Sequence, residues 1–397
     1  MNKSEKREKR EKKAKLQKTV LFIAAFLFMM LCGGVGGYLI GHLNKKLFHD
    51  GGIPAMLFGI GAILCVIGIA WLLHMYLHEV GHLLFGLATG YQFQSIRFGS
   101  LMFFKSAEGR PKITKYTLAG TGGQCLMLPP KEDAQGNYPT GLYNWGGCLM
   151  NLILSAICFV GWFCIGTESI PAVCLLLCSL LGIGVSLMNG IPLSSLSNDG
   201  YNAFILRKSK EARTVFRFQL LMNDEILRGK RLSELPEEWF ALGETCRMDN
   251  TRTTSAAVLR FNRLIELKQF DEAEQLGWHI LEEAEEIADV HELMIKAELL
   301  FLEIMHCECE ETDKAKQMYK KEEKKLAVLK SMPSMQRIFY AYYLCIEKDE
   351  KKAKQAKELF EKLAKHYPNQ AEIIGERALM KLAEEKRQKL PAAETVC

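Results

Sequence analysis

The sequence predicts a mainly α-helical chain of two unlike halves: a multi-pass transmembrane helical core of about four membrane segments with a small β/loop insertion, followed by a soluble α-helical, repeat-like domain. Three observations carry that expectation. Residues 19–204 are dominated by long apolar runs with few charges, whereas residues 205–397 are rich in Lys, Glu, Ala and Leu at helical spacing. Whole-chain averages of 49% hydrophobic and 24% charged residues conceal the contrast because they mix the halves. The third observation is a set of ionisable residues, His78-Glu79-Val80-Gly81-His82, placed within an apolar run. The expected organisation is thus a basic cytosolic tail over 1–18, a membrane-embedded core over 19–204 and a cytosolic helical domain over 205–397.

In the first eighteen residues nine Lys or Arg outweigh three Glu. Such a block reads first as a solvated tail, with a helix on anionic lipid or a signal-peptide head as alternatives. The net charge of +5 is small and concentrated there, so no nucleic-acid partner is expected. The run Thr19–Leu43 exceeds a signal-peptide core of roughly 7–15 apolar residues and reads as an uncleaved anchor. Further crossings are expected over Ile53 to about Thr89, Leu142 to about Ile165 and Ile170 to about Leu193, since about 20 apolar residues span a hydrocarbon core. The basic head stays in the cytosol by the positive-inside rule, which places the histidine-rich end and both termini on the cytosolic side; Lys45 and Lys46 are a mild counter-signal.

Between the second and third crossings, residues 91–140 are too polar to span and too apolar for a free loop. Tyr91 to Phe98 alternates as a strand does, and Ile113 to Leu118 does so more weakly. Gly120, Gly122, Gly123, Pro129 and Pro130 then predict a loop that lines a cavity at the membrane boundary. The thirteen cysteines are scattered singly through apolar runs, as small buried hydrophobes are. Cys307-Glu308-Cys309 lacks the paired spacing of a structural zinc site. Beyond Arg207, units beginning near Phe270, Thr312 and Ala353 recur about 40 residues apart, which resembles degenerate tetratricopeptide-type hairpins; an irregular bundle is the alternative.

In a helix, residues four apart share a face, so His78 and His82 can hold one Zn²⁺ through imidazole nitrogens. Glu79 beside them can take a proton from water at the metal and pass it to a leaving amine. Ionisable groups in an apolar helix are costly and normally face a partner. His74 extends the same face, but three ligands at i, i+4 and i+8 diverge, so His74 is read as supporting or packing. A catalytic zinc calls for a third protein ligand, and Asp199, just after the fourth run, is the acidic residue on the expected side.

These residues resemble the site-2 proteases, zinc metalloproteases that cleave substrates within or beside the membrane. The resemblance covers about residues 54–204 and has three ordered elements. His78-Glu79-x-x-His82 lies on a membrane helix; Gly147-Cys-Leu-Met-Asn151 is similar to a Gly-x-x-x-Asn at the next crossing; Asn189, Pro192, Asp199 and Gly200 are similar to an Asn-x-x-Pro…Asp-Gly signature. The resemblance implies Zn²⁺ held by His78, His82 and Asp199, with Glu79 as catalytic acid and base. It implies that Asn189, and with it Asn151, contacts substrate or the oxyanion, although Asn151 reads equally as an interhelical hydrogen-bonding group. It further implies an endopeptidase of membrane proteins or peptides in a bacterial cell membrane. The helical domain is expected to recruit a protein partner, and Gly120 to Gln124 to offer an edge to an extended substrate. One departure matters: Asn189 and Asp199 stand ten apart, farther than is usual in the family, with a serine-rich insertion between them. The alternative is an inactive membrane scaffold or adaptor, against which the intact Glu79 argues; a metal transporter is weaker still.

Overall fold

The computed structural model describes residues 52–389 apart from 107, 117–120, 167–168, 195 and 308–311, together with scattered positions between 12 and 41. The chain divides into two compact units that do not follow sequence order. One joins the described part of Glu8–Phe98 to Gly122–Ser209, and the other joins Gly99–Thr121 to the described part of Lys210–Cys397.

The first, apolar unit is built on α1 (Gly52–Ala88), α2 (Gly141–Ile165) and α3 (Ile170–Gly190). All three are long and apolar enough to cross a membrane. They occupy three of the four expected segments; the expected crossing over 19–43 is described only at scattered positions, which are helical. The 37 residues of α1 extend about 55 Å at about 1.5 Å per residue, well beyond a hydrocarbon thickness of about 30 Å. Its second half explains the excess. Ala70, His74, His78 and His82, one turn apart, are all buried, while Ile53, Leu57, Phe58 and Leu64 in the first half are exposed.

Helix α2 approaches α1 until the backbones touch. A Cβ added at Gly81 would stand 2.9 Å from the carbonyl carbon of Gly146, and one at Gly146 would stand 2.6 Å from the carbonyl oxygen of Gly81. Small residues at such a crossing let apolar helices gain dispersion contact that the hydrophobic effect does not supply in lipid. Helix α3 starts at Ser169, whose side chain accepts from the backbone N–H of Ala172, with Pro171 in the first turn. After a serine-rich turn, α4 (Asp199–Lys208) begins.

Four short strands form the small antiparallel insertion: β1 (Gln92–Phe98), β2 (Leu101–Lys105), β3 (Pro111–Lys115) and β4 (Gly123–Leu128). Within the apolar unit β1 pairs with β4, Phe98 opposite Gly123 and Gln92 opposite Leu128, with a bulge between Phe93 and Ser95. The strand expected from Tyr91 to Phe98 is present. The glycine- and proline-marked stretch expected as a loop is a strand from Gly123 to Leu128, because Cys125 and Met127 alternate into the core and Gly123 pairs with Phe98. In the other unit β2 and β3 make a hairpin, Leu101 opposite Lys115. There Thr114 donates to the carbonyl of His366 at 2.9 Å, and Tyr116 meets the Tyr367 ring edge-on at 5.4 Å. The strand expected from Ile113 starts two residues earlier, at Pro111, with residues 117–118 of that expectation outside the described residues, and β2 was not foreseen.

The C-terminal unit holds α5 (Lys210–Leu227), α6 (Thr251–Glu266), α7 (Phe270–Glu283), α8 (Asp289–His306), α9 (Asp313–Leu326), α10 (Pro333–Ala341), α11 (Glu350–Ala364) and α12 (Gln370–Lys389). The unit starts expected near Phe270, Thr312 and Ala353 fall at α7, α9 and α11. Phe261, Ile280, Leu299, Phe301 and Ile338 share one buried core. Across it Arg337 of α10, 1% exposed, bonds Glu298 of α8 at 2.7 Å and Glu376 of α12 at 2.6 Å, with its guanidinium over the Phe301 ring. Removing one member of a buried ionic cluster leaves the others uncompensated, a loss of about 3–5 kcal/mol. Arg337→Ala is therefore expected to raise hydrogen exchange throughout α8, α10 and α12 in the full chain. Unchanged protection there would contradict this account.

Candidate metal centre

Helix α1 supplies His78, Glu79 and His82, each between 7% and 8% exposed. The i, i+4 spacing turns both imidazoles toward the start of α4, where Asp199 is the first helical residue. His78 Nε2 lies 2.9 Å from Asp199 Oδ2, His82 Nε2 lies 3.3 Å from the same oxygen, and the two Nε2 atoms lie 3.2 Å apart. A tetrahedral ion with ligand bonds of about 2.0–2.1 Å sets its ligand atoms about 3.3 Å apart. The three atoms therefore have the spacing of three corners around one such ion, and this is a group that can hold a metal.

Each ring is oriented by a second contact. His82 Nδ1 lies 2.7 Å from the carbonyl oxygen of Tyr143, so Nδ1 carries the proton and Nε2 offers its lone pair to the site. Tyr143 is itself held, its hydroxyl donating to the carbonyl of Cys125 in β4 at 2.8 Å and its ring stacked on Tyr91. His78 Nδ1 faces the amide of Asn151 at 3.1 Å, and the same amide faces His74 Nδ1 at 3.2 Å. Gly147 lies one turn before Asn151 on α2, where a Cβ would fall 2.5 Å from His78 Nε2. The Gly-x-x-x-Asn spacing thus has a local cause: the glycine clears space for the ring that the asparagine binds.

Asp199 depends on a clasp that sequence reasoning missed. Asn198 caps α4, its Oδ1 accepting from the N–H of Tyr201 and of Leu193 at 3.1 Å, while its Nδ2 donates to the carbonyls of Met188 at 3.0 Å and Ile191 at 2.7 Å. One side chain therefore ties the end of α3 to the start of α4 and closes the long serine-rich turn, where Ser197 takes a φ of 49°. Gly200 completes the contact, because a Cβ there would stand 3.0 Å from Gly190 Cα. An Asn directly before an Asp-Gly pair that opens a helix is an N-cap signal, and it was legible.

Glu79 lies against β4: a Cβ on Gly123 would stand 2.6 Å from Glu79 Cγ, so the strand passes over the carboxylate only because residue 123 is glycine. Arg97, a lone cation in β1 and 2% exposed, donates to the carbonyl of Gly123 at 3.2 Å and fixes the strand there. Asn151 is fully buried with its amide between the two imidazoles, and Asn189 donates to the carbonyl of Val185 in its own helix at 3.0 Å. Asn189 shares no hydrogen bond with His78, Glu79, His82 or Asp199 among the described residues.

Gly147→Ala is expected to displace the His78 ring and lower metal content well below that of the native chain. Gly161→Ala on the same helix, where the added Cβ would meet the Leu175 side chain at 3.1 Å, should leave it intact. Elemental analysis of the two purified variants separates the outcomes. No family model matches the chain, nor does any curated protein or solved structure.

Proposed function

We propose that the chain is a zinc-dependent endopeptidase of membrane-associated substrates. The observation that carries this reading is the convergence of His78, His82 and Asp199 at tetrahedral ligand spacing, with Glu79 buried beside them. Two neutral imidazoles and one carboxylate form a donor set that suits zinc and leaves one net charge of the ion uncompensated. Zinc in such a site supplies a Lewis acid that polarises a carbonyl and makes water a nucleophile near neutral pH. Glu79 takes the proton as water adds to the peptide carbonyl carbon. It then delivers that proton to the amide nitrogen as the C–N bond breaks, leaving a carboxylic acid and an amine, between which the remaining proton is exchanged to give carboxylate and ammonium.

A membrane setting is supported by the three long apolar helices and by the exposed Leu, Ile and Phe side chains along them. A helical substrate hides its backbone, so the scissile segment must be extended at the site. Strand β4 supports this step: β1 is the one strand paired with it inside this unit, and its Gly123 end borders Glu79. An extended peptide adding to that edge would bring a carbonyl beside the carboxylate. The C-terminal helices are read as the surface that recruits a substrate or regulator protein.

Glu79→Gln keeps the ligand set and removes the proton carrier. It is expected to bind zinc as the native chain does and to lower cleavage by about 10²–10⁴-fold, with uncleaved membrane protein accumulating in cells. Asp199→Ala, in contrast, is expected to lose zinc. Native cleavage by Glu79→Gln, or full zinc content in Asp199→Ala, would sink this reading.

A further inference from the structure

His74 and Asn151 are both fully buried and neither offers an atom to the metal position, yet they join His78 to α3. His74 Nε2 lies 2.9 Å from the carbonyl oxygen of Cys178, His74 Nδ1 lies 3.2 Å from the Asn151 amide, and that amide reaches His78 Nδ1 at 3.1 Å. Space for the row is built in. A Cβ at Gly182 of α3 would fall 2.5 Å from His74 Nε2, and Ser155 donates to the Asn151 carbonyl at 2.8 Å. A polar row at this depth is expensive unless each donor meets an acceptor.

An asparagine amide has two orientations, told apart only by its partners. With Nδ2 toward His78, the amide donates to His78 Nδ1, and the remaining ring proton must sit on Nε2, the atom aimed at Asp199. His74 would then donate from Nδ1 to the amide oxygen, and its unprotonated Nε2 would face the Cys178 carbonyl, two acceptors opposed at 2.9 Å. With the amide turned over, every contact from Cys178 to His78 Nδ1 is a donor meeting an acceptor, and only the atoms that would share an ion are left without a proton between them. His74 Nε2–H donates to Cys178 O, Asn151 Nδ2–H donates to His74 Nδ1, and His78 Nδ1–H donates to Asn151 Oδ1. His78 Nε2 is then left with its lone pair toward Asp199 and His82.

We propose that His74 and Asn151 are a positioning pair that fixes the tautomer of His78, with Asn151 Oδ1 accepting from His78 Nδ1–H and His74 holding the amide in that orientation. The pair does for His78 what the Tyr143 carbonyl does for His82. The proposal rests on the metal reading of His78, His82 and Asp199.

Zinc affinity, measured by chelator competition on the full-length chain in detergent, tests it, with the cobalt-substituted absorption spectrum reporting geometry. Asn151→Leu removes the acceptor and is expected to weaken zinc about 10–100-fold, while Asn151→Asp retains it and stays within about threefold of native, since outer partners of metal ligands typically carry effects of the former size. The Asn151→Asp protein should also keep the native cobalt spectrum. His74→Phe, which frees the amide to turn, is expected to fall between the two. Native affinity in Asn151→Leu or His74→Phe overturns the proposal. So does Asn151→Asp as weak as Asn151→Leu, because a carboxylate is tolerated only if that position accepts. If Asn151→Leu does not fold, the comparison of Asn151→Asp with the native chain decides. A native chain that holds no zinc overturns the metal reading itself, and the pair with it.

Discussion

Ionisable side chains buried among apolar helices must find partners, and most features of the apolar unit answer to that constraint. His74, His78, Glu79 and His82 occupy successive turns of α1, each facing protein. Between them they are met by four elements: the Cys178 carbonyl of α3, Asn151 and the Tyr143 carbonyl of α2, Asp199 at the head of α4, and Gly123 of β4. The contacts cover one face of α1, while Tyr76, Leu84 and Leu87 stay exposed on the rest of its surface. That accounts for a helix too long for one crossing: its second half is a framework for other elements.

Glycines make this enclosure compact. Gly81 and Gly146 bring α1 and α2 to backbone contact, Gly147 makes room for the His78 ring, Gly182 for His74, Gly123 for Glu79, and Gly200 lets α4 start against Gly190. Each answers to a different neighbour, so none serves as a generic flexible position. The same close approach that a Cβ would block holds the imidazoles and carboxylate at ligand spacing. Rigid support of this kind matters because misplacement on the order of an ångström is enough to disable a constellation of this type.

The C-terminal unit solves a related problem by other means. The deeply buried guanidinium of Arg337 is neutralised by carboxylates from two other helices and covered by Phe301, so the charge that would oppose burial instead connects three helices. The β2–β3 hairpin belongs to this unit although it lies between segments of the other. Thr114 and Tyr116 reach residues 366 and 367, separations that no local pattern encodes.

Periodicity and spacing alone determined the contrast between halves, the three long apolar helices, the strand over 91–98, and the shared face of His78 and His82, since each follows from repeats within one element. The motif also singled out Asp199 and Asn151 as its companions. Only the tertiary structure decided what those residues meet. It put the Asp199 carboxylate at ligand distance despite the long serine-rich turn, because the clasp at Asn198 acts across residues 188–201. It placed the Asn151 amide between two imidazoles, and it made a strand of the glycine-marked stretch after residue 122, because Glu79 lies against Gly123. Sequence spacing reports which side chains share a face; which groups converge from separate elements is set by how closely their backbones pack, and that is a property of the assembled fold.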